Sequence, residues 1–170
     1  DLNGVLITSD KLSVRFERQY GVPAATFLKA LQQIMPTIRL PRARNAFSYW
    51  RPWFEQWNVE ITSKEFFDFW FSGEKLNRKA LRFVRNLRRS NPSLKVFVLS
   101  NNFRERSRYY KQAFPELFHA IHRVYFSWQT GHRKPSKAAL RYVLRKEKLR
   151  ASDCLSVDDQ QAMVDVAKEL

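Results

Sequence analysis

Hydrophobic and polar positions fall into blocks along this chain of 170 residues. Three short runs are apolar or β-branched almost without interruption and stop at polar residues. They are LKVFVLSNN (Leu94–Asn102), HRVYFSW (His122–Trp128) and CLSVDD (Cys154–Asp159). Continuous apolar runs of this length predict strands buried on both faces, as in a parallel sheet, so strands are expected over Leu94–Leu99, His122–Trp128 and Cys154–Val157. The segments around them follow a helical period instead. Leu81, Val84, Leu87 and Arg88 define one helix, and Arg104–Phe114, Ser136–Glu147 and Gln160–Leu170 three more. Strands alternating with helices predict an α/β sheet with helices on both faces. Ligands of such sheets bind beyond the carboxyl ends of the strands, where Ser100 and Asp158 fall.

Residues 11–75 read differently. VPAATFLKALQQIM, NAFSYWRPWFEQW and TSKEFFDFWF have helical spacing and contain no strand candidate. Pro23, Thr62 and Ser63 stand where helices begin, while Pro36, Pro41 and Pro52 are expected to break or bend the run. The expected organisation is therefore an α/β unit over 1–10 and 76–170 with a helical insertion over 11–75. Trp50, Trp53, Phe54 and Trp57 either form the core of that insertion or line a substrate pocket.

Composition adds charge to this picture. With 31 Lys and Arg against 16 Asp and Glu, the formal net charge is +15. Such a surface attracts polyanions, nucleic acid included, and small phosphates, but no nucleic-acid-binding motif accompanies it. Cys154 is the single cysteine, which excludes an intrachain disulfide and fits a cytoplasmic location. No apolar run approaches the roughly 20 residues that span a bilayer. His119, His122 and His132 lack metal-ligand spacing and read as surface or strand-flanking residues.

The polar residues at the strand ends form a chemical set. Asp1 is a carboxylate before the turn Asn3–Gly4. Ser100 and Asn101 offer a hydroxyl and backbone N–H groups. Lys134 precedes a helix start, and Asp158–Asp159 pairs two carboxylates before another helix. Together they offer a nucleophile, donors for phosphate oxygens, a cation and a hard-oxygen site for Mg²⁺. DLNGVL (Asp1–Leu6), VFVLSNN (Val96–Asn102), GHRKP (Gly131–Pro135) and LSVDDQQAMVDVAKEL (Leu155–Leu170) occur in an order that resembles the haloacid dehalogenase-like (HAD) hydrolase superfamily. Within it the chain is similar to the alpha-D-glucose-1-phosphate phosphatases and to the N-terminal phosphatase domain of soluble epoxide hydrolases.

The resemblance implies a Rossmann-like parallel-sheet core with an inserted helical cap, its first and last strands expected outside the span 1–170. It implies a Mg²⁺-dependent phosphatase acting on a small phosphorylated metabolite, with Asp1 as the nucleophile that becomes an aspartyl phosphate. It assigns Mg²⁺ to the Asp1 and Asp158 carboxylates and the Asn3 main-chain carbonyl, with Asp159 in support. Phosphoryl oxygens fall to Ser100, Asn101 and Lys134, the last also offsetting charge. Two positions depart from the family pattern. Asn3 stands where an acid–base aspartate is usual, and an amide cannot exchange a proton near neutral pH, so slow turnover of alkyl phosphates is expected. Met163 replaces a usual Asn or Asp, which implies weaker anchoring of the acidic loop. A metal-free dehalogenase would leave Asp158 and Asp159 uncompensated beside Asp1. The alternative from another class is a catalytically weak domain that binds RNA or another polyanion through its basic surface. The sequence leaves oligomeric state open.

Overall fold

A computed structural model describes residues 1–43 and 45–170. The chain opens with a tight turn in which the Gly4 amide donates to the Ile7 carbonyl at 2.8 Å, then enters β1 (Ile7–Ser9). Four helices follow: α1 (Leu12–Tyr20), α2 (Ala24–Ile38), α3 (Phe47–Gln56) and α4 (Ser63–Phe71). The chain returns through β2 (Glu74–Leu76), which pairs antiparallel with β1, Ile7 opposite Leu76 and Ser9 opposite Glu74. Both ends of the four-helix segment are thus held together by one short ladder. Next come α5 (Arg78–Ser90), β3 (Phe97–Ser100), α6 (Arg104–Ala113), α7 (Pro115–Ala120) and β4 (Arg123–Phe126). The chain closes through α8 (Ser127–Thr130), α9 (Lys137–Glu147), a 3-10 turn at Ala151–Asp153 and α10 (Gln161–Lys168). β3 and β4 are parallel, with Phe97 opposite Arg123 and Ser100 opposite Phe126.

Local chemistry explains several boundaries. Thr62 caps α4 by accepting from the Glu65 amide while the Glu65 side chain returns to the Thr62 amide, a reciprocal pair that satisfies two otherwise orphaned donors. Asn77 and Ser136 accept from Ala80 and Ala139 at the starts of α5 and α9. Pro36 and Pro52 do not end their helices: both lie inside, in α2 and α3. At α3 the buried rings of Trp50 and Phe54 hold the helix despite the missing donor, since tertiary burial outweighs one lost backbone bond. Pro41 lies beyond the end of α2, in the turn.

One strand expectation fails. Cys154–Val157 is irregular, with Leu155 91% and Val157 58% exposed. An apolar run becomes a strand only when a neighbouring strand supplies hydrogen bonds and a covered face. Here the Val157 carbonyl receives the backbone nitrogen of Asp1 at 2.8 Å, with no ladder beyond that bond among the described residues.

Two hydrophobic clusters result. The larger is aromatic and comes almost wholly from α1–α4: Phe16, Phe27, Trp50, Phe54, Phe66 and Trp70 are its centre, and Phe103 joins from the loop before α6. Ring centroids lie 4.6 Å apart for Phe16 and Phe27 and 5.1 Å for Trp50 and Phe66, within the range of favourable aromatic pairs. Trp53 and Trp57 pack against its side. The smaller cluster gathers Leu2, Ile7, Leu81, Val98, Leu117 and Phe126 under the parallel pair. No described helix is long and apolar enough to cross a membrane.

Candidate active site

Three stretches distant in sequence meet at the carboxyl end of β3. The first is the opening turn, the second the loop 131–134 after α8, and the third the loop 157–160 before α10. Lys134 is the hinge of the arrangement. Its Nζ lies 2.8 Å from Asp1 Oδ1 and 2.6 Å from Asp158 Oδ2, with the three side chains 7%, 7% and 3% exposed. Burial lowers the Lys134 pKa from the ordinary lysine value, opposed by the hydrogen bond and charge of Asp158 and by Asp159. The lysine is fixed from behind. The Asn101 side chain donates to the Lys134 carbonyl at 2.6 Å and accepts from its amide at 2.8 Å, so the residue that follows β3 holds the loop carrying the cation.

Asp1, Asp158 and Asp159 each present a carboxylate oxygen within 4.8 Å of the others. Three negative charges against one ammonium leave a formal excess of two, and like carboxylates at this distance repel strongly. A divalent hard cation is the counter-charge that suits an all-oxygen donor set. Oxygens on one Mg²⁺, each at about 2.1 Å, lie no more than about 4.2 Å apart. The cluster therefore fits the ion after closing by a few tenths of an ångström. The Asn3 carbonyl accepts no hydrogen bond among the described residues. Gly4 permits the close approach: its φ of +90° favours glycine, and a Cβ there, 2.2 Å from Asp159 Oδ2, would push that carboxylate aside.

Ser100 ends β3 with a buried hydroxyl that has no partner among the described residues. A buried polar atom without a partner is costly. The Asn3 side chain points into a separate network. Its amide nitrogen donates to the Tyr110 hydroxyl at 2.6 Å, and its oxygen accepts from Asn102 at 3.4 Å. Tyr110 in turn donates to Glu74 Oε2 at 2.9 Å, and Arg106 pairs with Glu74 Oε1 at 2.5 Å. Burial, more than any charge, raises the Tyr110 hydroxyl pKa above the ordinary tyrosine value. Tyr110 has one proton, which goes to Glu74, so it can only accept at Asn3. An amide supplies that donor; an ionised carboxylate could not.

All seven residues singled out from sequence are thus accounted for. Asp1, Lys134, Asp158 and Asp159 form one cluster, Asn101 braces it, and Ser100 ends the adjoining strand. Asn3 contributes backbone on that side and its side chain to the neighbouring network. Met163 is buried in α10. Glu74, Arg106, Tyr110 and Asn102 were not foreseen. Only Asn102, inside the SNN stretch, carried a signal; the others look like ordinary members of a short strand and a charged helix.

A family model for haloacid dehalogenase-like hydrolases matches residues 1–170. Among solved structures, a protein from Porphyromonas gingivalis described as a predicted HAD-like family hydrolase is 21% identical, with a TM-score of 0.79. The match covers 99% of this chain and 84% of that one. A HAD family enzyme from Bacteroides thetaiotaomicron in a magnesium complex is 19% identical, with a TM-score of 0.82 and coverage of 99% and 86%. The same wild-type enzyme with magnesium and inorganic phosphate gives 20%, 0.82, and 99% and 87%. At these identities the likeness is one of fold.

Proposed function

The chain belongs to the haloacid dehalogenase-like hydrolase family and is a hydrolase of mixed α/β fold; from that premise we propose that it is a Mg²⁺-dependent phosphomonoesterase with Asp1 as nucleophile. The observation that carries the reading is the trio of carboxylates within 4.8 Å of one another, tied to one buried lysine. The fold likeness to an enzyme crystallised with magnesium and inorganic phosphate supports it.

Bound between Asp1, Asp158 and the Asn3 carbonyl, with Asp159 in support, Mg²⁺ would neutralise charge on the phosphoryl oxygens. The protein's own groups do the rest. An Asp1 carboxylate oxygen attacks phosphorus as the bond to the ester oxygen breaks, leaving an aspartyl phosphate, and water then hydrolyses that acyl phosphate to regenerate Asp1 and release phosphate. Lys134 offsets the repulsion between Asp1 and the incoming dianion. Ser100 offers its unpartnered hydroxyl to a phosphoryl oxygen, and the Asn101 N–H another donor. Asn3 cannot protonate the departing oxygen, a function worth typically about 10²–10⁴-fold. Aryl phosphates, whose leaving groups need less help, should therefore be turned over faster than alkyl phosphates. The helical segment 11–75, in this reading, is a cap that closes over the substrate.

The test is hydrolysis of an aryl phosphate with and without Mg²⁺. Turnover should require the ion and fall at least about a thousandfold in Asp1→Asn. Added Mg²⁺ should raise the melting temperature of the wild type and not of Asp158→Asn, because a ligand stabilises only the state that binds it. Ion-independent turnover would sink the reading.

One feature favours a second reading, polyanion binding. Helix α5 carries Arg78, Lys79, Arg82, Arg85, Arg88 and Arg89 and no acid, and none of these joins an ion pair among the described residues. Arg85, Arg88 and Arg89, with His119, line an open recess of about 390 Å³. RNA binding that weakens steeply with salt and is lost on Arg82→Glu/Arg89→Glu, without loss of hydrolysis, would support RNA binding as a property of α5.

A further inference from the structure

An unbalanced cation stands on the turn that packs against the loop of Lys134. Arg39 caps the C-terminal end of helix α2, and the turn around it rests on the loop that carries Lys134. Arg133 Nη1 donates to the Pro36 carbonyl at 3.3 Å, and a Cβ built on Gly131 would meet Pro41 Cγ at 3.9 Å. Arg39 Nε is buried without a hydrogen-bond acceptor among the described residues. Arg39 also joins none of the ion pairs there. Its charged neighbours have its own sign: burial first, then the charges of Arg106 and Arg133, hold its pKa down to about 10. A guanidinium stays charged under such pressure, and a half-buried cation with no counter-charge attracts anions.

Two cations nearby are matched. Lys134 has Asp1 and Asp158, and Arg106 has Glu74. Three carboxylates, Lys134 and one divalent ion sum to zero, so Arg39 and Arg133 remain as surplus positive charge. The transferring phosphoryl group has donors of its own in the Ser100 hydroxyl and the Asn101 N–H, on the strand side. Arg39 comes from the helical side, within reach of the charge of Arg106. The only other part of a phosphomonoester is its leaving group.

Resting on the phosphatase reading of the same cleft, we propose that the substrate carries a second oxyanion on its leaving group, a carboxylate or a second phosphate, received by Arg39 with help from Arg133. A planar guanidinium held with its Nε buried is suited to forked recognition of either group.

Three unreactive probes test this at fixed free Mg²⁺: methylphosphonate, phosphonoacetate and methylenebisphosphonate, each titrated calorimetrically into the full chain. The wild type should bind one of the two doubly anionic probes at least about tenfold tighter than methylphosphonate. The carboxylate arm and the phosphonate arm identify which second group fits. In Arg39→Ala the ratio should fall to within roughly twofold of one, and in Arg133→Ala it should fall part of the way. If Arg39→Ala does not fold, Arg39→Gln and Arg133→Ala carry the comparison. A wild-type ratio near one, or an equal weakening of all three probes in Arg39→Ala, overturns the proposal; the second result would assign Arg39 to the transferring group. Ester turnover with a ratio near one sinks this proposal alone. A preserved ratio without any Mg²⁺-dependent turnover sinks the phosphatase reading and leaves the anion pocket standing.

Discussion

The two hydrophobic clusters are built on opposite terms. The α1–α4 cluster is a mass of aromatic rings with no ion pair inside it. Its flaw is the Trp50 Nε1, which lacks a partner among the described residues. The cluster under β3 and β4 is smaller, mostly aliphatic, and bordered by three ion pairs whose side chains are at most a tenth exposed, Lys134 with Asp1, Lys134 with Asp158 and Arg106 with Glu74. One region gains stability from dispersion and area removed from water. The other gives up some of that gain to hold desolvated charge, which is unfavourable unless fully paired. Stability and chemistry are therefore written in different residues, and substitutions should separate them.

The largest stability effect should come from the aromatic side. Trp50→Ala removes a fully buried ring and should cost about 3–5 kcal/mol, read from chemical denaturation, while the kcat of the folded fraction stays near wild type. Equal loss of kcat and stability would break the contrast. Arg106→Met should follow at about 3 kcal/mol, because it strands the Glu74 carboxylate among Ser9 and Tyr110. Asn3→Asp sharpens the functional side. The new carboxyl meets a Tyr110 hydroxyl whose proton is spent on Glu74, so its protonated form fits best. Alkyl-phosphate turnover should rise roughly tenfold or more, and no rise would mean that residue 3 does not limit the rate. At the small end, Lys64→Ala, which breaks an exposed pair with Asp68 on α4, should leave the melting temperature unmoved.

These contrasts also explain what the sequence could and could not disclose. Helices α5, α6, α9 and α10 and strands β3 and β4 show their periods over enough residues to be read. β1 and β2 do not, since three residues such as Glu74–Leu76 set no period, and only their mutual pairing makes them strands. Cys154–Val157 misled for the converse reason, having the composition of a strand without a neighbour to pair with. At the site, Asp1, Lys134 and Asp158–Asp159 were legible because each lies in a recognisable motif. The buried Nε of Arg39 was not legible, because in a chain with 31 basic residues one more arginine at a helix end looks solvated. The Asn3–Tyr110–Glu74–Arg106 chain was equally hidden. Its links join residues 107, 36 and 32 positions apart, and no local pattern encodes a contact of that span.

Gly4 and Asp159 touch so tightly that a side chain on the former would displace the latter. The turn around Gly4 is consequently a mould for an acid contributed from far along the sequence. A fragment stopping short of residue 158 would still bury its aromatic rings, yet it should have no appreciable hold on a divalent ion. Adding back the missing peptide in trans should restore that hold only when position 4 is left bare.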